Sequence, residues 1–254
     1  MNARAILEER AHRPWPLPRG PWVMTQTWNG LLFAHWPIPP ETLRPLLPAA
    51  LTLDTFEGEA WLGVVPFQMT NVRPRLAPPV PGLSAFPELN VRTYVTRDGK
   101  PGVWFFSLDA ANRVAVTLAR ALFRLPYYQA RMTCRSAEGK TTRYHSVRAH
   151  HNAPPATFDA VYRPTGPVYY AARGSLEEWL TERYCLYAVG PGGVPLRDEI
   201  HHRRWPLQPA EAEIPLNTMA QAAGIALPDT PPLLHYAARQ ETLIWAPERV
   251  KVDS

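Results

Sequence analysis

Residues 88–95, Glu-Leu-Asn-Val-Arg-Thr-Tyr-Val, place an acid, an amide, a cation and a phenol on every second position. Leu89, Val91, Thr93 and Val95 fill the positions between, so the stretch reads as a β-strand with Glu88, Asn90, Arg92 and Tyr94 on one face. Asp98-Gly99 follows, and both residue types accept the positive φ of a tight hairpin turn. A two-residue turn there sets Arg92 opposite Phe105, Asn90 opposite Ser107 and Glu88 opposite Asp109 in the returning strand 103–109. A four-residue turn through Lys100 and Pro101 moves the pairing by two and keeps the faces. On this reading Arg92 offers a planar fork for a carboxylate. Glu88 and Asp109 face each other, so one of them can hold a raised pKa suited to acid–base work. Asn90, Tyr94, Phe105 and Ser107 complete a mixed polar and aromatic surface of the kind that lines ligand cavities. Two plainer readings stay open: a solvated sheet face, and a buried Glu88–Arg92 ion pair that holds the sheet together.

Those residues need a scaffold, and the pattern supplies a hairpin-rich one. Residues 1–12 read as a short helix leading into the Pro/Trp-rich arm that ends near residue 24. Residues 28–36 read as a strand with Leu31, Phe33 and His35 on one face and Leu32, Ala34 and Trp36 on the other. His35 there is a core or pocket-wall residue rather than a metal ligand, because no second ligand follows at a zinc-like spacing. Residues 39–47 suggest a short helix with proline in its first turn. Residues 51–56, the Glu57-Gly58 turn and residues 60–69 read as a hairpin, with Trp61, Gly63, Val65 and Phe67 on one face. Residues 73–87 form a proline-rich loop, either a lid or a connector.

Residues 112–124 carry the strongest helical pattern. Val114, Leu118, Ala121 and Leu122 make the expected buried stripe, opposite Arg113, Thr117, Arg120 and Arg124. Asp109 or Asn112 can cap this helix, which is the plain alternative to chemistry at Asp109. Residues 127–135 and 141–150 read as strands joined through Glu138-Gly139-Lys140. Ser175-Leu176-Glu177-Glu178 is a capping box. Residues 184–189 and 194–204 read as an antiparallel pair, and 235–245 as the last clear strand. Adjacent strand residues point opposite ways, so His150-His151 and His201-His202 do not chelate readily. The expectation is one domain over 1–254, α+β and mostly antiparallel.

Composition narrows the function classes. The chain has 254 residues, 46% of them hydrophobic, and 30 prolines; it can bury a core but favours short elements and turns. A net charge of +5 comes from scattered arginines, with no dense basic block that would suggest a nucleic-acid partner. No run of about 18 apolar residues implies a membrane span, and the N-terminus lacks the apolar core of a signal peptide. Cys134 and Cys185 make neither a disulfide framework nor a metal knuckle, so the cytoplasm is the expected compartment. No phosphate loop, zinc motif or hydrolase elbow is present, and no cofactor or metal is expected. Lysine occurs only at Lys100, Lys140 and Lys251, none on a strand face or helix where a buried Schiff-base amine would sit.

Several phrases together resemble one family: Leu31-Leu32-Phe33-Ala34-His35-Trp36, Val65-Pro66-Phe67, residues 86–95, residues 102–110, Leu125-Pro126-Tyr127-Tyr128 and Glu182-Arg183-Tyr184. They are similar to the YqjF-like bacterial proteins, a domain of unknown function, across roughly residues 25–245. That family is more distantly similar to acetoacetate decarboxylase. The resemblance implies an antiparallel, cone-like β-barrel with a central cavity and short flanking helices. It also implies that Glu88 stands for the pocket glutamate, Arg120 for a helix arginine and Pro126 for a turn proline. Tyr127-Tyr128 then occupy the place of two lysines. A phenol cannot condense with a ketone as an amine does, so the Schiff-base route is not carried over. Tyr127 or Tyr128 can still donate to a carbonyl or enolate oxygen.

Three functions from different classes remain. One is an isomerase-, hydratase- or lyase-type enzyme for a small oxo- or hydroxy-acid, with Glu88, Arg92 and Asp109 catalytic. In it, Asn90, Tyr94, Phe105, Ser107, Arg120, Tyr127 and Tyr128 contact substrate. Another is a binder or sensor of a small acidic or aromatic metabolite, using the same pocket without turnover. The last is a scaffold that docks through Trp15 and Trp22. A homo-oligomer is compatible with all three, and neither nucleic acid nor membrane is an expected partner.

Overall fold

The computed structural model describes residues 2–137 and 141–250; the expected turn at Glu138-Gly139-Lys140 and Lys251 lie outside them. In chain order the elements are α1 (Ala3–Glu8), β1 (Met24–Ile38), α2 (Pro40–Leu43), β2 (Thr52–Leu53), β3 (Ala60–Pro74), β4 (Phe86–Arg97) and β5 (Lys100–Ala110). Then come α3 (Arg113–Phe123), β6 (Tyr127–Ala137), β7 (Thr141–Arg148), β8 (Thr157–Pro164), α4 (Leu176–Thr181) and β9 (Cys185–Val189). The chain ends with β10 (Pro195–His202), β11 (Leu207–Asn217), β12 (Leu233–Ile244) and β13 (Glu248–Arg249).

Strand pairing closes twice. One ring runs β1–β3–β4–β5–β9–β10–β12 and back to β1; the other leaves β5 through β6, β7, β8 and β11 to return at β12. Closure removes the exposed edges that open sheets must protect. The pairs are antiparallel except β5–β6 and β5–β9, which are parallel. The shared strands β1, β3, β4, β5 and β12 therefore have both faces covered. On β1, Leu31 and Phe33 face one apolar cluster, while Leu32, Ala34 and Trp36 face the other. This double coverage is why these strands carry apolar residues at nearly every position.

Three local expectations are corrected. Residues 52–53 do not pair with β3; they lie against Thr96 and Val95 of β4, and only the Phe56–Glu59 bridge survives around the Glu57-Gly58 turn. The helical stripe of α3 is turned outward. Val114, Leu118 and Leu122 are exposed, whereas Val116, Ala115, Ala119 and Phe123 meet the core. Strands β8 and β11 fall where the sequence pattern had given none.

The N-terminal arm is strapped to the outside of β10. Trp15 donates to the Glu199 carboxylate, and Trp22 lies under the Arg75 guanidinium, so both tryptophans are used within the chain. His150, His201 and His202 serve the fold. Buried His201 bonds the Ile6 carbonyl and buried His202 that of Arg203, while the partly buried His150 accepts the Gln129 amide. No helix of the described residues is long and apolar enough to cross a membrane.

Candidate functional site on the inner wall of the first ring

Register defines the wall that faces the interior of the first ring. Leu233, His35, Gly63, Arg92 and Phe105 lie side by side across β12, β1, β3, β4 and β5. One pleat along, His235 lies beside Phe33, and Val65 beside Asn90 and Leu108; the next pleat brings Ala237 beside Leu31, and Phe67 beside Glu88 and Ala110. Arg92, with Trp61 and Leu233 on this wall and Trp179 of α4 and Leu186 of β9 nearby, is only partly buried.

The Asp98-Gly99 turn has two residues, and Arg92 pairs with Phe105 as the turn chemistry requires. Beyond that pair a β-bulge inserts Phe106. Val91 then faces Ser107, Leu89 faces Asp109 and Glu88 faces Ala110. One extra residue moves everything after it to the other face. Ser107 and Asp109 therefore leave the Glu88 surface, which corrects their expected place beside Asn90 and Glu88.

Asp109, wholly buried, meets Arg148 of β7 through two bonds, Nε to Oδ2 at 2.9 Å and Nη2 to Oδ1 at 2.6 Å. This bidentate pair fills the space that a capping or catalytic role would need. Asn112 caps α3 instead, its Oδ1 accepting the Ala115 amide at 3.0 Å. Tyr128 lies on the Arg148 side, its ring centre 4.1 Å from the guanidinium carbon, away from the inner wall. Arg120 is exposed and donates to the Tyr127 carbonyl at 2.6 Å, tying α3 to β6. Neither Tyr128 nor Arg120 joins Glu88 and Arg92.

Tyr127 does. Its hydroxyl donates to Glu88 Oε2 at 2.9 Å, and the Tyr144 hydroxyl donates to the Glu88 carbonyl at 2.7 Å. Burial raises the Glu88 carboxyl to about 8, against the opposing Tyr127 bond. Glu88 with such a value keeps its proton at pH 7 and can act as an acid.

Arg92 takes no part in an ion pair with Glu88 or with any other carboxylate among the described residues. Its Nη2 donates to the Tyr94 hydroxyl at 3.3 Å and reaches the Leu180 carbonyl at 3.5 Å; Phe33 and Tyr94 flank it at 5.3 and 5.7 Å. Its Nε is buried without an acceptor among the described residues. The deeply buried arginines differ: Arg13 pairs with Glu199, Arg148 with Asp109 and Arg183 with Asp54.

His35 is the hydrogen-bonded wall residue that its place on β1 implies. Its Nε2 lies 2.6 Å from the Tyr94 hydroxyl, so His35, Tyr94 and Arg92 form one polar cluster. Burial and the Arg92 charge hold His35 well below the usual histidine range, hence neutral. Gly63 makes the cluster possible, because a Cβ there would lie 3.0 Å from His35 Nε2 and 3.3 Å from Arg92 Cγ. Buried polar atoms without partners among the described residues gather on the same wall: Asn90 Oδ1, His35 Nδ1, His235 Nδ1 and Trp61 Nε1. A signal for His35 lay in its alternation with Leu31 and Phe33, but its partner came from β4.

A cleft of about 400 Å³ opens where β5 exchanges β9 for β6 as its neighbour. It runs from exposed Arg120 and Arg124 to Phe105, Leu125 and Ala188 of the inner cluster. Lys100 is engaged outside the ring with Glu199.

Residues 25–241 match the family DUF2071, uncharacterized conserved proteins. The chain belongs to this family. It is 51% identical over 229 residues to the uncharacterized protein YqjF of Bacillus subtilis, covering 90% of this chain and 93% of that one. Solved structures share the fold at low identity. The enduracididine biosynthesis enzyme MppR complexed with pyruvate matches with a TM-score of 0.61 at 11% identity, over 94% of this chain and 93% of that one. Acetoacetate decarboxylase from Legionella pneumophila matches at 0.60 and 14%, over 97% and 95%. The fold is therefore that of the acetoacetate decarboxylase-like proteins, and the tyrosine pair at 127–128 stands within it.

Proposed function

We propose that this DUF2071 protein binds a small oxo- or hydroxy-acid inside the first ring and processes it by proton transfer, without a Schiff base. The observation that carries the reading is Arg92, a guanidinium aimed into the ring with no carboxylate partner among the described residues. A cation in such a setting is stabilised by a ligand anion, and its fork suits a carboxylate. The solved neighbour that holds pyruvate supports an acid of this size in this fold.

Bound through Arg92, the ligand runs along β4. Asn90 Oδ1, an acceptor without a donor, receives a ligand hydroxyl. Neutral Glu88 then supplies a proton to a carbonyl or leaving oxygen, with Tyr127 holding the carboxyl in place. Tyr94, bonded to Arg92, and His35, bonded to Tyr94, can relay a proton at the carboxylate end. A binder without turnover is the second reading, favoured because an un-ionised phenol bonded to Glu88 occupies the place of an amine nucleophile. Incubating the protein with carbon-13-labelled pyruvate and a panel of oxo- and hydroxy-acids, followed by NMR, separates the two. The enzyme reading expects new resonances with wild type and none with Glu88→Gln. Saturable line broadening without conversion supports the binder, and neither response to any acid removes both.

A further inference from the structure

Asp198 and Glu199 are adjacent, both buried, and treated oppositely by the fold. Glu199 points outward and collects Arg13, Trp15 and Lys100. Asp198 points inward: it pairs with Leu186, which pairs with Val103, which pairs with Tyr94, all on the face of the inner cluster. Three strand spacings of about 4.8 Å separate Asp198 from Tyr94 along a closed ring, which sets it on the far side of the interior. It is 0% exposed, and neither Oδ1 nor Oδ2 has a partner among the described residues.

Leaving both oxygens of a buried carboxyl unbonded carries the full desolvation penalty of the group, so it needs a reason. Burial alone raises Asp198 to about 8, no nearby cation opposing it. At neutral pH it therefore presents one donor and one acceptor to the interior, among Leu186, Leu196 and Val103, where a hydrogen bond is strengthened by the low dielectric.

We infer that Asp198 is a second ligand anchor, accepting a hydroxyl or ammonium carried at the end of the molecule remote from its carboxylate. The inference rests on the reading that Arg92 holds that carboxylate, and it narrows the substrate class to acids with a distal donor group.

Calorimetric titration of the full-length protein tests it with butanoate, 4-hydroxybutanoate, 4-aminobutanoate, their six-carbon homologues and n-butylamine. One hydrogen bond of about 1.4 kcal/mol predicts that a donor-bearing acid binds about tenfold tighter than its plain counterpart. Asp198→Leu should erase that preference while still binding the plain acid. Asp198→Asn should keep it for the hydroxy acid and lose it for the amino acid, and this variant carries the test if the leucine variant fails to fold. Arg92→Gln should weaken every acid but leave n-butylamine binding dependent on Asp198. If Arg92→Gln changes nothing while the Asp198 dependence persists, the carboxylate reading fails alone. A preference absent from wild type, or unchanged in both Asp198 variants, overturns the proposal. So does n-butylamine binding that ignores Asp198.

Discussion

Two arginines, Arg92 and Arg148, lie on or beside the same hairpin and have opposite surroundings. Arg148 sits behind the sheet, grips Asp109 through two short bonds, and is covered by Tyr128. Arg92 sits in front of it, touches a phenol and a carbonyl at longer range, and leaves Nε without an acceptor. A saturated, desolvated pair is part of the frame: removing one partner strands the other charge. A cation whose neighbours are aromatic rings and a neutral histidine is held ready for an anion from outside. Residue type alone would have assigned both Arg92 and Asp109 to chemistry; partner geometry separates them.

The largest effect is expected on the Arg148 side. Asp109→Ala should cost about 3–5 kcal/mol of stability, because the Arg148 charge stays buried and unpaired; urea unfolding measures it. A loss below 1 kcal/mol would mean that Arg148 finds another partner and that the contrast is overdrawn. Gly63→Ala comes next. Its Cβ would press on His35 Nε2 at 3.0 Å and Arg92 Cγ at 3.3 Å, with an expected cost of about 1–3 kcal/mol. Acid binding should fall with it, since both cluster residues must move.

Glu88→Gln should change the pH dependence of stability. With a folded value of about 8 against 4.5, Glu88 keeps its proton in the folded state while the unfolded state has lost it. Its stabilising contribution is complete below the unfolded value and drains away as pH rises to about 8. Buried histidines act the other way, but they are the same in wild type and variant and cancel in the comparison. Between about pH 6.5 and 7.5, therefore, the variant should remove a downward slope approaching 1.4 kcal/mol per pH unit. Identical slopes in the two proteins would place an ionised Glu88 in the wall. The smallest effect is expected for Arg92→Gln: with no ion pair to break, stability should move by less than about 1 kcal/mol.

Much of this contrast was legible in the sequence up to one residue. Asp98-Gly99 specified the turn and hence the Arg92–Phe105 pair, and alternation specified the face shared by Glu88, Asn90, Arg92 and Tyr94. The bulge at Phe106 was invisible, because Phe105-Phe106-Ser107 offers no glycine or break in pattern, and it alone carried Asp109 to the other face. Arg148, the residue that claims Asp109, lies 39 positions away and enters only through strand pairing. The α3 stripe had the right period and the wrong side, since a helix pattern alone does not say which stripe meets the ring. Asp198 was hidden because β10 carries charged or polar residues on both faces. The acetoacetate decarboxylase-like phrases did bring Glu88 and the residue 127 position together, as the Tyr127–Glu88 bond has them.

The most direct measurement is the affinity for pyruvate of wild type, Arg92→Gln and Arg120→Gln, followed by calorimetry on protein shown to be folded by circular dichroism. Arg120 is exposed on α3 and serves as the control for general charge. If Arg92 is the carboxylate anchor, Arg92→Gln lowers affinity by about tenfold or more while Arg120→Gln changes it little. Equal affinity in wild type and Arg92→Gln would contradict the account and return Arg92 to the frame.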